Sequence, residues 1–204
     1  MYRLYWAPNT GAFAPDAVLT LAGAPFERQR VDYDGKEHQG EAYRKLNPLG
    51  QIPLLRLPDG ETITESAAMV LHLVERFPEA RLAPAPGGSA RAVFDRWLVF
   101  LAVNVYGAIL RRYYAGRFTT DPAGAEGVRQ AAGRDLESLF AILEAALEAD
   151  AFLLGETFGA ADIYLMMLVD WYPPAGELPR IGGLCAALKE EPRIAEVRRL
   201  YELN

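Results

Sequence analysis

A chain of 204 residues, 51% hydrophobic and 24% charged, is long enough for one large domain or two small ones with real cores, and its composition is neither disordered nor fibrous. A formal charge of −6 argues against a nucleic-acid partner, which would call for a basic face or run, and the nearest feature is the single pair Arg111-Arg112. The one cysteine, Cys185, permits no internal disulfide, and without CxxC, HExxH or another spaced Cys/His set there is no metal site to propose.

The opening residues MYRLYWAPNTGAF lack the basic start and long apolar core of a signal peptide. The most hydrophobic stretch, Trp97 to Leu110, contains Asn104 and is too short to span a bilayer, so a cytoplasmic protein with no membrane partner is expected. The two histidines, His38 and His72, stand alone and read as structural or surface residues.

Tyr2 to Trp6 reads as a strand, and Ala14-Pro15-Asp16 begins a helix with proline in its first turn that stops at Gly23. Phe26 to Val31 is a second strand, which makes a βαβ unit and favours a parallel pair with a right-handed crossover. A polar helical stretch from Gly40 to Leu46 follows. Leu54 to Leu57 and Glu61 to Thr64 then flank Pro58-Asp59-Gly60, which reads as a hairpin turn. Ala67, Val70, Leu71, Val74 and Phe77 form one apolar helical stripe that ends at Pro78.

That order predicts an α/β domain over 1–78 of thioredoxin-like arrangement, with a small four-stranded sheet. APAPGG lies in a linker over 79–88, and 89–204 reads as an all-helical C-terminal domain. Its long helices are predicted around Arg91 to Gly116, Gly127 to Ala149 and Ala160 to Tyr172, followed by two shorter ones. Ile163 to Val169 is apolar on every face, which marks a central buried helix with Asp162 as a first-turn carboxylate and Phe158 and Ile163 as a staple across Gly159. Cys185 reads as a small buried hydrophobe.

Within NPLGQIPLL a proline sits at the mouth of an otherwise buried strand, where it has no N–H to give a sheet ladder. If the Ile52-Pro53 bond is cis, the preceding backbone turns outward and an extended peptide could pair with it. Glu65-Ser66 opens the striped helix, whose N-terminus offers unpaired N–H groups. Ser66 suits a ligand carboxylate and Glu65 an ammonium, as at one end of an amino acid.

NPLGQIPLL, ESAAMVLHL and the later FLLGETFGAADIYL together resemble the cytosolic glutathione S-transferase superfamily over nearly the whole chain. The resemblance implies glutathione as cosubstrate. It places Ile52 and Pro53 on its cysteinyl backbone and Glu65 and Ser66 on its γ-glutamyl end, with Gln51 a further contact and Gln39 one for the glycyl end. Members usually hold the sulfur with Tyr, Ser or Cys near the first strand, and APNTGAFAP offers none. The serine position falls on Thr10, the cysteine position of the bacterial beta class on Gly11, and its tyrosine position on Trp6.

Lowering a thiol pKa by ~2 units takes about 2.7 kcal/mol, and a hydrogen bond to a charged group supplies roughly 1.5–3. One well-aimed donor therefore nearly suffices. Thr10 is the first candidate and Asn9 the second, beside a backbone N–H near Gly11; the alternative is that both residues merely shape the turn. Tyr106, at the position of a beta-class histidine, and Tyr113, seven residues on, would line an aromatic pocket with Trp6 and Phe13, or else pack in the core.

The function implied is conjugation of glutathione to hydrophobic electrophiles by a homodimer, as in detoxification. The face beside Glu65-Ser66 would meet the first helix of the partner's second domain, with Asn104 contributing. The alternatives are glutathione-dependent disulfide or peroxide reduction, and a non-catalytic binding protein of the same family. No metal enters any of the three.

Overall fold

A computed structural model describes residues 1–147 and 151–203. The far end of the helix expected to reach 149, and position 204 of the expected C-terminal domain, lie outside the described residues. The chain divides into two compact units, one of Met1–Pro86 with the segment from Lys189 onward, the other of Gly87–Leu188. The segment from Lys189, expected in the helical domain, thus groups with the first unit.

The first unit begins with β1 (Tyr2–Trp6), α1 (Phe13–Leu21) and β2 (Phe26–Arg30). A 3-10 turn at Glu37–Gln39 leads into α2 (Glu41–Arg44), then β3 (Leu54–Arg56), β4 (Thr62–Ile63) and α3 (Ser66–Arg76). The helix expected over 40–46 is shorter, beginning only after the extended Gly40 and ending at Arg44. The sheet order is β2-β1-β3-β4. β1 runs parallel to β2, with Tyr2 opposite Phe26, and antiparallel to β3, with Tyr5 opposite Leu54.

Alternation along β1 buries Tyr2, Leu4 and Trp6 on one sheet face, while Tyr5 packs on the other against a cluster of Val31, Tyr43 and Leu54. On α3 the buried stripe is Met69, Val70, Leu73 and Val74, with Leu71 only half buried. The expected stripe through Ala67 and Leu71 is thus rotated toward Met69 and Leu73, since a helix lying on a sheet buries a broad face.

The second unit begins with α4 (Ser89–Phe100), which passes through a π-helical turn at Leu101–Val105 into α5 (Tyr106–Tyr113). This helix is continuous over 25 residues, close to the one expected around Arg91 to Gly116, and by length and composition alone it is long and apolar enough to cross a membrane, which the shorter stretch Trp97 to Leu110 is not. Phe94, Trp97, Leu98, Leu101, Val105, Ala108 and Ile109 are buried within the unit, the one-sided pattern of a core helix. α6 (Ala125–Ala146), α7 (Ala160–Trp171) and α8 (Pro179–Lys189) follow, with Cys185 buried in α8.

α7 is buried from Ala160 to Val169. The Asp162 carboxylate accepts the Leu153 N–H and the Gly159 N–H, each at 2.8 Å, so the helix start and the preceding loop share one buried acceptor. Finally α9 (Pro192–Leu200) returns to the first unit and packs along α1.

Candidate functional site

Strand register brings the predicted binding segments to one end of the sheet. Trp6 ends β1, Leu54 starts β3 opposite Tyr5, and Ile63 ends β4 opposite Leu55. The turn after β1, the Ile52-Pro53 pair before β3 and Glu65-Ser66 after β4 therefore converge. β2 is parallel to β1 and ends at that side too, which carries the segment with His38 and Gln39 toward it.

The Ile52-Pro53 peptide bond is cis. Pro53 is buried, and the half-buried Ile52 side chain packs on the Val31, Tyr43 and Leu54 cluster. The carbonyl of Gln51 is held twice, by the Tyr43 hydroxyl at 2.9 Å and the Asn47 amide at 2.8 Å. Asn47 is itself buried, and its other side-chain atom accepts the Leu49 N–H at 3.1 Å. Gly50 has φ +61°, and a Cβ there would stand 2.9 Å from the His38 carbonyl, so this loop admits only glycine. Desolvation pushes the Tyr43 hydroxyl well above the usual tyrosine range, which keeps it a donor.

Glu65 is exposed and takes φ 65°, ψ 110°, outside the wells that L-residues populate. Ser66, the first residue of α3, is buried. The pair is presented as a ligand would need, with a carboxylate in solvent and a hydroxyl at a helix start.

The turn after β1 departs from expectation. Thr10 donates its hydroxyl proton to the Ala7 carbonyl at 2.7 Å, so its one hydrogen is committed within the turn and Thr10 meets a ligand as an acceptor. Asn9 is exposed at φ 53°, a left-handed conformation that asparagine tolerates. Gly11 and Ala12 are buried at the start of α1, ahead of the first helical bond from the Asp16 N–H to the Ala12 carbonyl.

Trp6 and Phe13, expected to line an aromatic pocket, are instead core residues, 6% and 1% exposed, with both rings against Tyr201. On the helical unit Tyr106 is half-buried with its ring edge-on to Trp171, and Tyr113 is 53% exposed. Trp97 is buried, as expected of a core residue, and Asn104 is exposed.

His38 was passed over in the sequence as a lone histidine. It is buried, stacks on Tyr33 at 4.5 Å and lies with Nε2 3.4 Å from Nε2 of the exposed Gln39. With the Gln39 amide donating there, the proton sits on Nδ1, a buried atom without a hydrogen-bond partner among the described residues. Burial, reinforced by Arg44 and Lys36, lowers its pKa and keeps the ring neutral. Only a neighbouring polar residue hinted at this in the sequence. Among the described residues no group of His, Cys, Asp or Glu could hold a metal ion.

The glutathione S-transferase N-terminal domain matches residues 15–76 and the C-terminal domain of the same family matches 109–179. The uncharacterized GST-like protein YncG of Escherichia coli is 32% identical over 210 residues, covering all of both chains. A sphingomonad glutathione S-transferase solved in complex with glutathione is 28% identical, with a TM-score of 0.84 over 99% of this chain and 100% of that one. A glutathione transferase homolog from Sulfitobacter, solved with bound glutathione, matches with a TM-score of 0.89 over 98% of each chain; at 24% identity that likeness is one of fold.

Proposed function

Because the chain belongs to the cytosolic glutathione S-transferase superfamily, we propose that it binds glutathione at this end of the sheet and conjugates it to hydrophobic electrophiles. The observation that carries the reading is Glu65, a non-glycine residue held in a costly backbone conformation directly before a buried Ser66 at the start of α3. Strain of this kind costs of order 1–3 kcal/mol and gathers at ligand clamps.

In this proposal the main chain of Ile52, beside Pro53, pairs with the cysteinyl backbone, with Gln51 adjoining. Glu65 takes the α-ammonium of the γ-glutamyl end. Ser66 and the first N–H groups of α3 take its carboxylate. Gln39, exposed beside the buried His38, serves the glycyl carboxylate. Asn9, with the N–H groups at the start of α1, stabilises the thiolate, because the Thr10 proton is already given to Ala7.

Glutathione brings the nucleophile, and the protein supplies orientation and anion stabilisation. Tyr106 and Tyr113 are proposed as contacts of the electrophile. The working form is proposed to be a cytoplasmic homodimer, for which Val99 and Val103, half or more exposed beside Asn104 on the long helix, supply an apolar face.

Parallel assays with a chloro-nitrobenzene and with a glutathione disulfide substrate test the reaction. Conjugation is expected. Turnover confined to the disulfide assay would replace the transferase with the reductase, and neither activity with glutathione still bound would leave a binding protein.

A further inference from the structure

The proposed sulfur turn is braced from behind by the end of the chain. Tyr201 is fully buried. Its ring centroid lies 4.9 Å from that of Trp6, the last residue of β1, and 5.6 Å from that of Phe13, the first of α1, edge-on at 86°. One aromatic ring thus touches both ends of the segment that carries Asn9, Thr10 and Gly11.

The ring is held by its contacts with Trp6 and Phe13, and the hydroxyl has a partner of its own. It donates to Asp16 Oδ2 at 3.2 Å, and the buried Asp16 carboxylate also accepts a two-pronged contact from Arg28 at 2.8 and 2.7 Å. At the far end of the same helix pair, Arg193 Nη1 donates to the Leu21 carbonyl at 2.9 Å. α9 is therefore held antiparallel to α1 at both ends, with the aromatic contact at the end where α1 begins.

We infer that Tyr201 is a positioning residue for the sulfur turn, acting through Trp6 and Phe13 to set where Asn9 and the first N–H groups of α1 point. The inference rests on the proposed glutathione reading of the site. A hydrogen bond weakens steeply as its donor swings off line, so a loosened turn loses thiolate stabilisation before it loses its grip on the rest of the ligand.

The test reads the bound thiolate by its ultraviolet absorbance as pH is raised, beside calorimetric titration with S-methylglutathione, whose sulfur cannot ionise. Tyr201→Leu is expected to raise the apparent pKa of the bound thiol by about one unit, a tenfold loss of thiolate at fixed pH. Its affinity for S-methylglutathione should fall by less than about threefold. Tyr201→Phe, which restores the ring, should return the thiol pKa to the wild-type value, and Arg193→Ala should leave it unchanged. A Tyr201→Leu protein that binds glutathione with the wild-type thiol pKa overturns the inference and leaves the glutathione reading intact. Wild-type protein that binds no glutathione removes both.

Should Tyr201→Leu fail to fold, amide exchange on the wild type decides. The amides of Ala7 and of residues 9–12 are expected to open together with those of 193–201. Opening of the turn independently of α9 would overturn the inference.

Discussion

Glu65 holds a conformation that a Cβ makes costly. At such a position glycine should be preferred to alanine. Glu65→Gly is therefore expected to be more stable than Glu65→Ala by about 1 kcal/mol in denaturant unfolding, while both lose affinity for glutathione. Equal stabilities would show that the backbone there is unstrained.

The turn after β1 supports a second comparison. Thr10→Val removes a bond internal to the turn, so it should cost about 1 kcal/mol of stability and leave kcat/KM within a few-fold. Asn9→Gly keeps the left-handed φ and removes only the amide, so kcat/KM should fall roughly tenfold or more with little change in stability. The reverse ranking would return the sulfur to Thr10. Pro53 was legible in the sequence because proline contradicts the apolar run around it. The partner of Thr10 was not, since a hydroxyl at a turn reads the same whether it faces a ligand or its own backbone.

At the scale of elements, Asp162 carries the start of α7. Burial pushes its carboxyl up to about 6 from an ordinary 3.8, against the lowering effect of its backbone hydrogen bonds. The folded state thus holds its proton more tightly than the unfolded chain does. The group's contribution to stability is fullest below the unfolded value and is lost as pH rises through about 6. Asp162→Asn does not titrate and leaves one of two buried N–H groups poorly paired, a loss of about 1–3 kcal/mol. Urea unfolding should find that deficit larger at about pH 4.5 than at about pH 7.5, and a deficit that grows with pH would contradict this.

The carboxylate's place in the first turn was legible from its spacing after Gly159. Its bond to Leu153 was not, because the loop before the helix has no periodicity to read. The long helix of α4 and α5 was legible, since the apolar run around Trp97 to Leu110 continues on one face to both sides, whereas the π-helical turn within it left no mark in the sequence.

At the scale of the molecule, composition and periodicity carried the division into a mixed sheet-and-helix part and a helical part. The return of α9 to the first unit was beyond them, because the contact of Tyr201 with Trp6 and Phe13 links residues nearly a whole chain apart. The proposed dimer belongs to this scale as well. Sedimentation equilibrium should give a species of twice the chain mass, and Val103→Glu, at an exposed site, should shift it toward the monomer without unfolding it. A wild-type monomer would contradict that part of the account.

The central claim is that this sheet end holds glutathione, and calorimetric titration of the wild-type protein tests it most directly. The account predicts saturable binding of one glutathione per chain with a Kd below about 1 mM, weakened roughly tenfold by Ser66→Ala. A folded protein that gives no binding heat with glutathione at about 10 mM would contradict it.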